Sequence, residues 1–497
     1  MSLLWLILAL FSTRLIGLNW GWPFYFHPDE NNIAMAVSNL SCPNLIDLKH
    51  CFEPGFYAYG QIFIYLGALI NFFINNPNFS LRLLSAISSF FAGIVFYKLL
   101  QRDFKSESQA KIGLLLFIFT PILIQLAHFG TTESFSILLF ISALYFRQRP
   151  LVVGWLIGLL IATKISYSLL LVWPLILNKL FWQSSKKLLK SWLIAILTFL
   201  FFSPHNWLNF PLFLSSMNYE LSVGSGVLPV FYTEQFINSL PVWFQVTSIL
   251  PLAIGPGLIA LSLIGVAFLI KKKHWDIVFI LILLFLQASF TYVKWARFLA
   301  LVYPLLIYSS VFSLVYLTNK LKDRKFLILF VLLTQTIIGI GFLKLYLTPD
   351  TRVQANSWIR QNIKSKALIL TESANVVDLP FNQSQYELKS FFLYDLDKDP
   401  LFAKKVFSYL KSADYVIVPS RRVYANYTCY RFKNQQVFTL PNCNLDKKYP
   451  QINKYYQTLF LSGKFTLVKS FSVFNDEYSE ETLTVFDHPK VRIFKKQ

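Results

Sequence analysis

Charge is what this chain has least of: of 497 residues only 14% are charged, against 55% hydrophobic and 18% aromatic. A water-soluble protein of this length carries about 25% charged residues, so a soluble globular enzyme is excluded. Acid is scarcer than base, with 25 Asp and Glu against 46 Lys and Arg and a net charge of +21. Cysteine occurs four times, with no neighbouring His or Cys at the spacing of a zinc site. No G-x-x-x-x-G-K-[ST] run is present, so a P-loop nucleotide cradle is excluded. The first apolar stretch, Met1 to Leu18, lacks a basic leader and a small-residue cleavage site before Trp20-Gly21-Trp22-Pro23, and is expected to stay as a span. No internal repeat of the kind that builds transporters is evident.

What the chain does have is repeated apolar runs long enough to cross a hydrocarbon core of about 30 Å as helices. The positive-inside rule arranges them into about eleven spans with the N-terminus inside: Leu3 to Leu18, Leu81 to Leu99, Ile112 to Ala127, Ser134 to Phe146, Leu151 to Thr163, Ile165 to Leu180, Ser191 to Phe202, Phe244 to Ile270, Trp275 to Tyr292, Phe298 to Leu317 and Phe326 to Leu345. Seventeen of the 24 basic residues before Thr348 then fall in inner connections, from Lys98 to Lys111, at Arg147 and Arg149, from Lys179 to Lys190, at Lys271 to Lys273 and from Lys320 to Lys325. Counting Phe56 to Phe73 as a span would put Gln101 to Lys111 outside, so that run is expected to lie at the outer interface.

An odd number of spans leaves residues 348–497 outside. There the composition becomes that of a soluble domain. Thr351 to Ile363 reads as a helix, and Ala367 to Leu370, Tyr415 to Val418, Phe465 to Val468 and Leu483 to Phe486 read as strands. The fold class is therefore a polytopic α-helical membrane protein, 1–347 with a first outer loop over 19–80, followed by an α/β domain over 348–497. All four cysteines fall in outer segments, which suggests local disulfides Cys42 with Cys51 and Cys429 with Cys443 in an oxidising compartment. The basic tail rests on anionic headgroups, meets an acidic acceptor, or is simply a solvated lysine-rich face. No nucleic-acid partner is expected.

Against this topology, a few charges stand where membranes disfavour them. The run His27-Pro28-Asp29-Glu30 follows the first span, and carboxylates beside hydrocarbon are poorly explained by packing. Asp29 and Glu30 open a segment, Asn31 to Leu40, with the apolar face of an interfacial helix; Asp29 as a helix N-cap is the structural alternative. Glu133, in His128-Phe129-Gly130-Thr131-Thr132-Glu133, begins another span from outside. Arg82, Lys164, Lys294 and Arg297 sit at outer helix ends against the positive-inside bias, and Arg14 lies inside the first span. Carboxylates opposite isolated cations describe a general base facing a phosphate clamp; snorkelling is the bland account of the cations.

The ordered set resembles GT-C-type integral-membrane glycosyltransferases, similar to dolichyl-phosphate-mannose protein mannosyltransferases and lipid A aminoarabinose transferases. It runs through Arg14, His27-Pro28-Asp29-Glu30, Glu53-Pro54-Gly55-Phe56-Tyr57, Arg82-Leu83-Leu84, His128 to Glu133, Gly158-Leu159-Leu160-Ile161-Ala162-Thr163-Lys164, Ser203-Pro204-His205 and Arg297 to Pro304. In the tail it includes Ala413 to Val418 and Thr484 to Pro489. The resemblance implies an inverting transferase taking a sugar from a polyprenyl-phosphate donor at the outer face of a plasma membrane, with a polyprenyl-phosphate transporter or flippase as the alternative. Asp29 would be the base, and Glu30, the other catalytic residue, would with Glu133 shape the site or hold sugar hydroxyls. Acceptor or sugar contacts fall to His27, Glu53, Tyr57, His128, Glu133 and His205, and donor-phosphate contacts to Lys164, Lys294, Arg297, Arg82 and Arg14. His205 stands where relatives often carry Tyr. The acceptor is a protein, lipid or glycan. No cofactor is required by any motif; a divalent metal on the outer carboxylates is conceivable chemistry but is not the expectation.

Overall fold

The computed structural model describes all residues except 1, 45, 321–323, 374–377, 381–384, 434, 442, 475–476 and 478; Lys322 of the last basic connection therefore lies outside the described residues. The protein is an integral, polytopic helical membrane protein with a small α/β unit. It divides into two compact units, one of Met1–Asn19, Asp29–Leu228 and Leu240–Lys344, the other of Trp20–Pro28, Pro229–Ser239 and Leu345–Gln497. The second unit thus draws on two short segments from within the first 347 residues as well as the tail.

In the helical unit, α1 (Leu3–Leu15), α2 (Pro28–Asn39), α3 (Ile62–Ile74), α4 (Pro77–Phe104), α5 (Glu107–Ile118), α6 (Pro121–His128), α7 (Glu133–Tyr145) and α8 (Pro150–Thr163) form the first part. The 28-residue α4 is its axis, packing against α1, α3, α5, α6 and α7. Its buried face carries Ser80, Ser85, Ser88, Ser89, Ala86, Ala92 and Gly93, small residues that let helices approach where no hydrophobic effect drives them together. The same device joins α8 to the helix Ser185–Phe202: a Cβ on Gly154 would lie 2.2 Å from the Ser191 carbonyl oxygen, and one on Gly158 2.5 Å from that of Ala195. Larger side chains there would force the pair apart.

Each apolar run expected to span is helical, but several are broken. Three helices among the described residues are long and apolar enough to cross a membrane singly, Pro77–Phe104, Ile165–Trp182 and Ile328–Leu347, rising to five if two bent pairs each count as one span. Six shorter apolar helices accompany them. The expected span Ile112 to Ala127 is the pair α5 and α6, bent by 59°, and Phe244 to Ile270 is bent by 114° before Pro256. Phe56 to Phe73 yields α3, whose 13 residues rise about 20 Å.

The bend between α5 and α6 explains Arg14. Pro121 has no N–H to give the carbonyl four residues earlier, which is that of Phe117. Arg14 supplies the missing donor: Nη2 reaches Phe117 O at 3.1 Å, Nη1 reaches Ile118 O at 3.1 Å, and Nε reaches Ser89 Oγ at 2.9 Å. Gln335 Nε2 serves the next carbonyl, Phe119 O, at 3.1 Å. A backbone break inside an apolar bundle persists because side chains satisfy the groups it releases.

The second unit holds strands β1 (Leu368–Glu372), β2 (Glu387–Phe391), β3 (Tyr415–Val418), β4 (Tyr430–Lys433), β5 (Gln436–Thr439), β6 (Phe465–Phe471) and β7 (Val491–Lys496). Its main sheet has the order β2-β1-β3-β7-β6, with β2, β1 and β3 parallel and β7 antiparallel to both neighbours. β4 and β5 form a separate ribbon. The helices Thr351–Asn362, Pro400–Ser412 and Pro450–Phe460 complete it. Segment Trp20–Pro28 enters this unit through aromatic side chains: the Arg352 guanidinium lies 3.7 Å over the Phe26 ring, and the His27 ring 4.6 Å from that of Phe486. Three expected strands are present, but Leu483 to Phe486 is not one. There Glu480 accepts from Thr482 N at 3.0 Å and Glu481 pairs with Arg422, folding the run into a buried turn. Cys42 is joined to Cys51 and Cys429 to Cys443.

Candidate active site

Asp29 lies in the first turn of α2 and keeps 22% of its side chain exposed. Its Oδ2 pairs with the Arg297 guanidinium and accepts from the Tyr59 hydroxyl at 3.2 Å. Arg297 belongs to a short 3-10 turn, Ala296–Leu299, and stacks 4.8 Å over the Trp295 ring. Burial pushes the Tyr59 phenol well above its ordinary pKa, so it stays a donor to the carboxylate.

Lys164, the residue closing α8, lies near the same tyrosine. Its Nζ is 5.3 Å from the Tyr59 ring centre, 5.1 Å from that of Phe298 and 3.4 Å from Glu133 Oε1. Glu133 opens α7 and is buried. Glu220, an exposed residue, also acts on this lysine: partial desolvation pushes its carboxyl up, and the Lys164 charge pulls it back. The placement of Lys164 depends on Gly60. Gly60 N donates to Thr163 O at 3.0 Å, and a Cβ on Gly60 would fall 2.0 Å from the Ala162 carbonyl oxygen. Backbone contact thus locks the Tyr59 loop to the end of α8. Lys294, buried, gives its Nζ to Tyr292 O at 3.0 Å, and burial lowers its pKa.

A second polar group gathers Glu53, Tyr57 and His205. Tyr57 donates to Glu53 Oε1 at 2.7 Å, and the Tyr65 hydroxyl lies 2.8 Å from His205 Nδ1. Gln61 joins them, accepting from His205 N at 3.0 Å and donating to Asn206 Oδ1 at 3.0 Å. Burial lowers the pKa of His205, which favours the neutral imidazole.

Besides Lys294, whose bond is to Tyr292 O, five residues named from sequence stand in neither group. Glu30 and Arg82 pair with each other at 0% side-chain exposure, Arg82 Nε lying 3.0 Å from both carboxylate oxygens and Nη2 2.9 Å from Oε1. Glu30 also accepts from Gly130 N at 2.9 Å and Asn78 Nδ2 at 3.3 Å, while Arg82 Nη1 reaches Leu18 O at 3.2 Å. Arg14 is spent on the α5 carbonyls. His128 is buried with its ring nitrogens 2.8 Å from Ile124 O and 2.9 Å from Ile16 O. His27 packs inside the second unit. The assignments of Glu30 to catalysis, of Arg82 and Arg14 to a donor phosphate, and of His27 and His128 to acceptor contacts are thus not supported by position, since each side chain is buried against protein groups.

Sequence reasoning missed Tyr59 and Trp295. The signal was present in part: Tyr59-Gly60 closes the run that begins at Glu53, and Trp295 lies inside Lys294-Trp295-Ala296-Arg297. Among the described residues no three His, Cys, Asp or Glu side chains converge as metal ligands.

The chain is similar to ArnT. A crystal structure of ArnT from Cupriavidus metallidurans bound to undecaprenyl phosphate matches with 13% identity over 87% of this chain and 96% of that one, at a TM-score of 0.44. The apo structure of the same protein matches with 12% identity over 99% and 97%, at 0.47. No family model matches the chain, and a search of curated proteins returns no match.

Proposed function

We propose that the protein transfers a sugar from a polyprenyl-phosphate donor to an acceptor hydroxyl, with inversion at the anomeric carbon, at the extracytoplasmic face of a plasma membrane. The observation that carries the reading is Asp29, a partly exposed carboxylate at the start of α2 held against Arg297 and Tyr59, with Lys164 across the Tyr59 ring. The motif resemblance supports it, and it takes the outer face from the positive-inside bias of the basic connections.

The chemistry needs a base for the acceptor and positive charge for the leaving group. Asp29 takes the acceptor proton as the acceptor oxygen bonds to C1. The C1–O bond to phosphate breaks, and its electron pair leaves with the polyprenyl phosphate. Lys164, Lys294 and Arg297 stabilise that growing charge, an effect magnified where water is excluded. Glu133 orients Lys164, and the Glu53, Tyr57 and His205 group offers hydrogen bonds suited to sugar hydroxyls. Glu30, Arg82, Arg14 and His128 hold the frame.

The test is transfer of label from radiolabelled polyprenyl-phosphate sugars, in a panel of sugars, to a crude envelope extract, comparing wild type with Asp29→Asn. Transfer by wild type alone supports the reading. Donor left intact by folded wild type that nonetheless moves polyprenyl phosphate between leaflets refutes it in favour of a transporter.

A further inference from the structure

The cations that a donor phosphate requires are already engaged. Arg297 is paired with Asp29, and Lys164 lies 3.4 Å from Glu133 and also feels Glu220. Arg297 and Lys164 each face a carboxylate, Asp29 and Glu133, before any substrate arrives. Asp29 Oδ2, committed to the Arg297 guanidinium and to the Tyr59 hydroxyl, is not offered to an incoming alcohol. The same side chain, Arg297, thus stands between the base and its task.

Resting on the transferase reading, we infer that Arg297 is exchanged between two anions: Asp29 in the empty protein and the donor phosphate in the loaded one. The pair is suited to exchange, since its side chains are 15% and 22% exposed, and solvent can reach each partner as it separates. By contrast, the Glu30–Arg82 pair at 0% exposure has no such route. Arg297 keeps its guanidinium carbon 4.8 Å from the Trp295 ring centre, from where it turns between a planar carboxylate and phosphate oxygens. Phosphate binding then has two consequences: it gains a charge-assisted contact, and it uncovers Asp29. The base becomes competent only when a donor is present, so donor binds before acceptor, and water or a stray hydroxyl is not activated at an empty site.

The exchange makes an unusual prediction, that removing the catalytic charge tightens donor binding. Apparent affinity scales with the fraction of protein whose Arg297 is available. If Arg297 spends about nine-tenths of its time on Asp29, Asp29→Asn binds polyprenyl phosphate about tenfold tighter than wild type. The measurement is calorimetric titration of the purified full-length protein in detergent with polyprenyl phosphate, polyprenol and inorganic phosphate. Expected is the tenfold gain for polyprenyl phosphate in Asp29→Asn, no gain for polyprenol, and disappearance of the gain when Arg297→Gln is added. Unchanged or weaker binding by Asp29→Asn, or a gain that survives Arg297→Gln, overturns the exchange even if transfer activity is confirmed. A gain seen with inorganic phosphate and not with the lipid assigns the exchange to a soluble anion and overturns the donor assignment. Absence of any polyprenyl-phosphate binding in folded wild type refutes the transferase reading itself. Should Asp29→Asn not fold, wild-type tryptophan emission supplies the answer: polyprenyl phosphate should change it, and Trp295→Phe should abolish the change. No lipid-dependent change attributable to Trp295 overturns the proposal.

Discussion

Replacing Glu30 by Gln separates two adjacent carboxylates that sequence alone treats alike. Glu30 balances the Arg82 charge with both side chains at 0% exposure and also accepts from Gly130 N and Asn78 Nδ2. Glu30→Gln removes the charge and turns one acceptor into a donor facing groups that are themselves donors. Breaking one partner of a buried pair costs about 3–5 kcal/mol, because the other is left as an uncompensated buried charge. For a chain of this size that corresponds to a fall of roughly 5 °C in apparent unfolding temperature. Asp29→Asn should behave in the opposite way: unfolding temperature near wild type, turnover lower by about 10²–10⁴-fold, the usual contribution of a general base. The assay is a thermal ramp in detergent followed by intrinsic fluorescence, paired with label transfer normalised to folded protein. Glu30→Gln that keeps wild-type stability while losing turnover per folded molecule would refute the assignment of Glu30 to the frame.

The Gly60 contact predicts that Gly60→Ala, which places a methyl 2.0 Å from the Ala162 carbonyl oxygen, displaces the Tyr59 loop from the end of α8; transfer should fall at least tenfold with little change in helix content by circular dichroism, and full activity would show that the two segments need not touch. Glu220 gives a pH signature. Partial desolvation raises its folded pKa above the ordinary 4.5, so between the two values the folded state binds more protons than the unfolded one, and stability falls as pH rises through that window. Glu220→Gln should flatten this fall; an unaltered pH profile of unfolding would show that the carboxyl, carried by an exposed residue, is not desolvated in the folded protein.

The helical framework was legible because hydrophobicity is a property of every residue in a run, and each expected span is helical. The breaks were harder. Pro121 signals one, but its repair by Arg14 joins residues more than a hundred positions apart, and nothing local to either reveals the other. Arg14 therefore read as an odd charge in a span, when it is a donor for a carbonyl that proline leaves orphaned. Asp29 and Glu30 show a second limit: successive helical residues point about 100° apart, so one faces outward and the other into the bundle, and the sequence does not say which until α2 has a neighbour. Leu483 to Phe486 shows a third. Alternation of apolar and polar residues predicts a strand only if the polar ones meet water, and here Thr482 and Thr484 are buried beside Glu480 and Glu481.

Burial thus sorts pairs with the same chemistry into different duties, and a conservative substitution exposes the difference. Arg82 uses Nε and Nη2 on Glu30 and Nη1 on Leu18 O, three directions that one ammonium cannot reproduce. Arg82→Lys therefore leaves at least one buried group without its donor, at about 1–3 kcal/mol, and should lower the unfolding temperature while sparing turnover of the folded fraction. Arg297 meets one carboxylate from a partly exposed position, where a lysine can still carry charge from Asp29 to a phosphate but without the planar, two-pronged contact. Arg297→Lys should retain wild-type stability and lose turnover partially, with Arg297→Gln losing far more. The two measurements, thermal unfolding and normalised label transfer, should cross between the two arginines. If Arg82→Lys lost activity without stability and Arg297→Lys lost stability without activity, the division between frame and chemistry drawn from burial would be reversed.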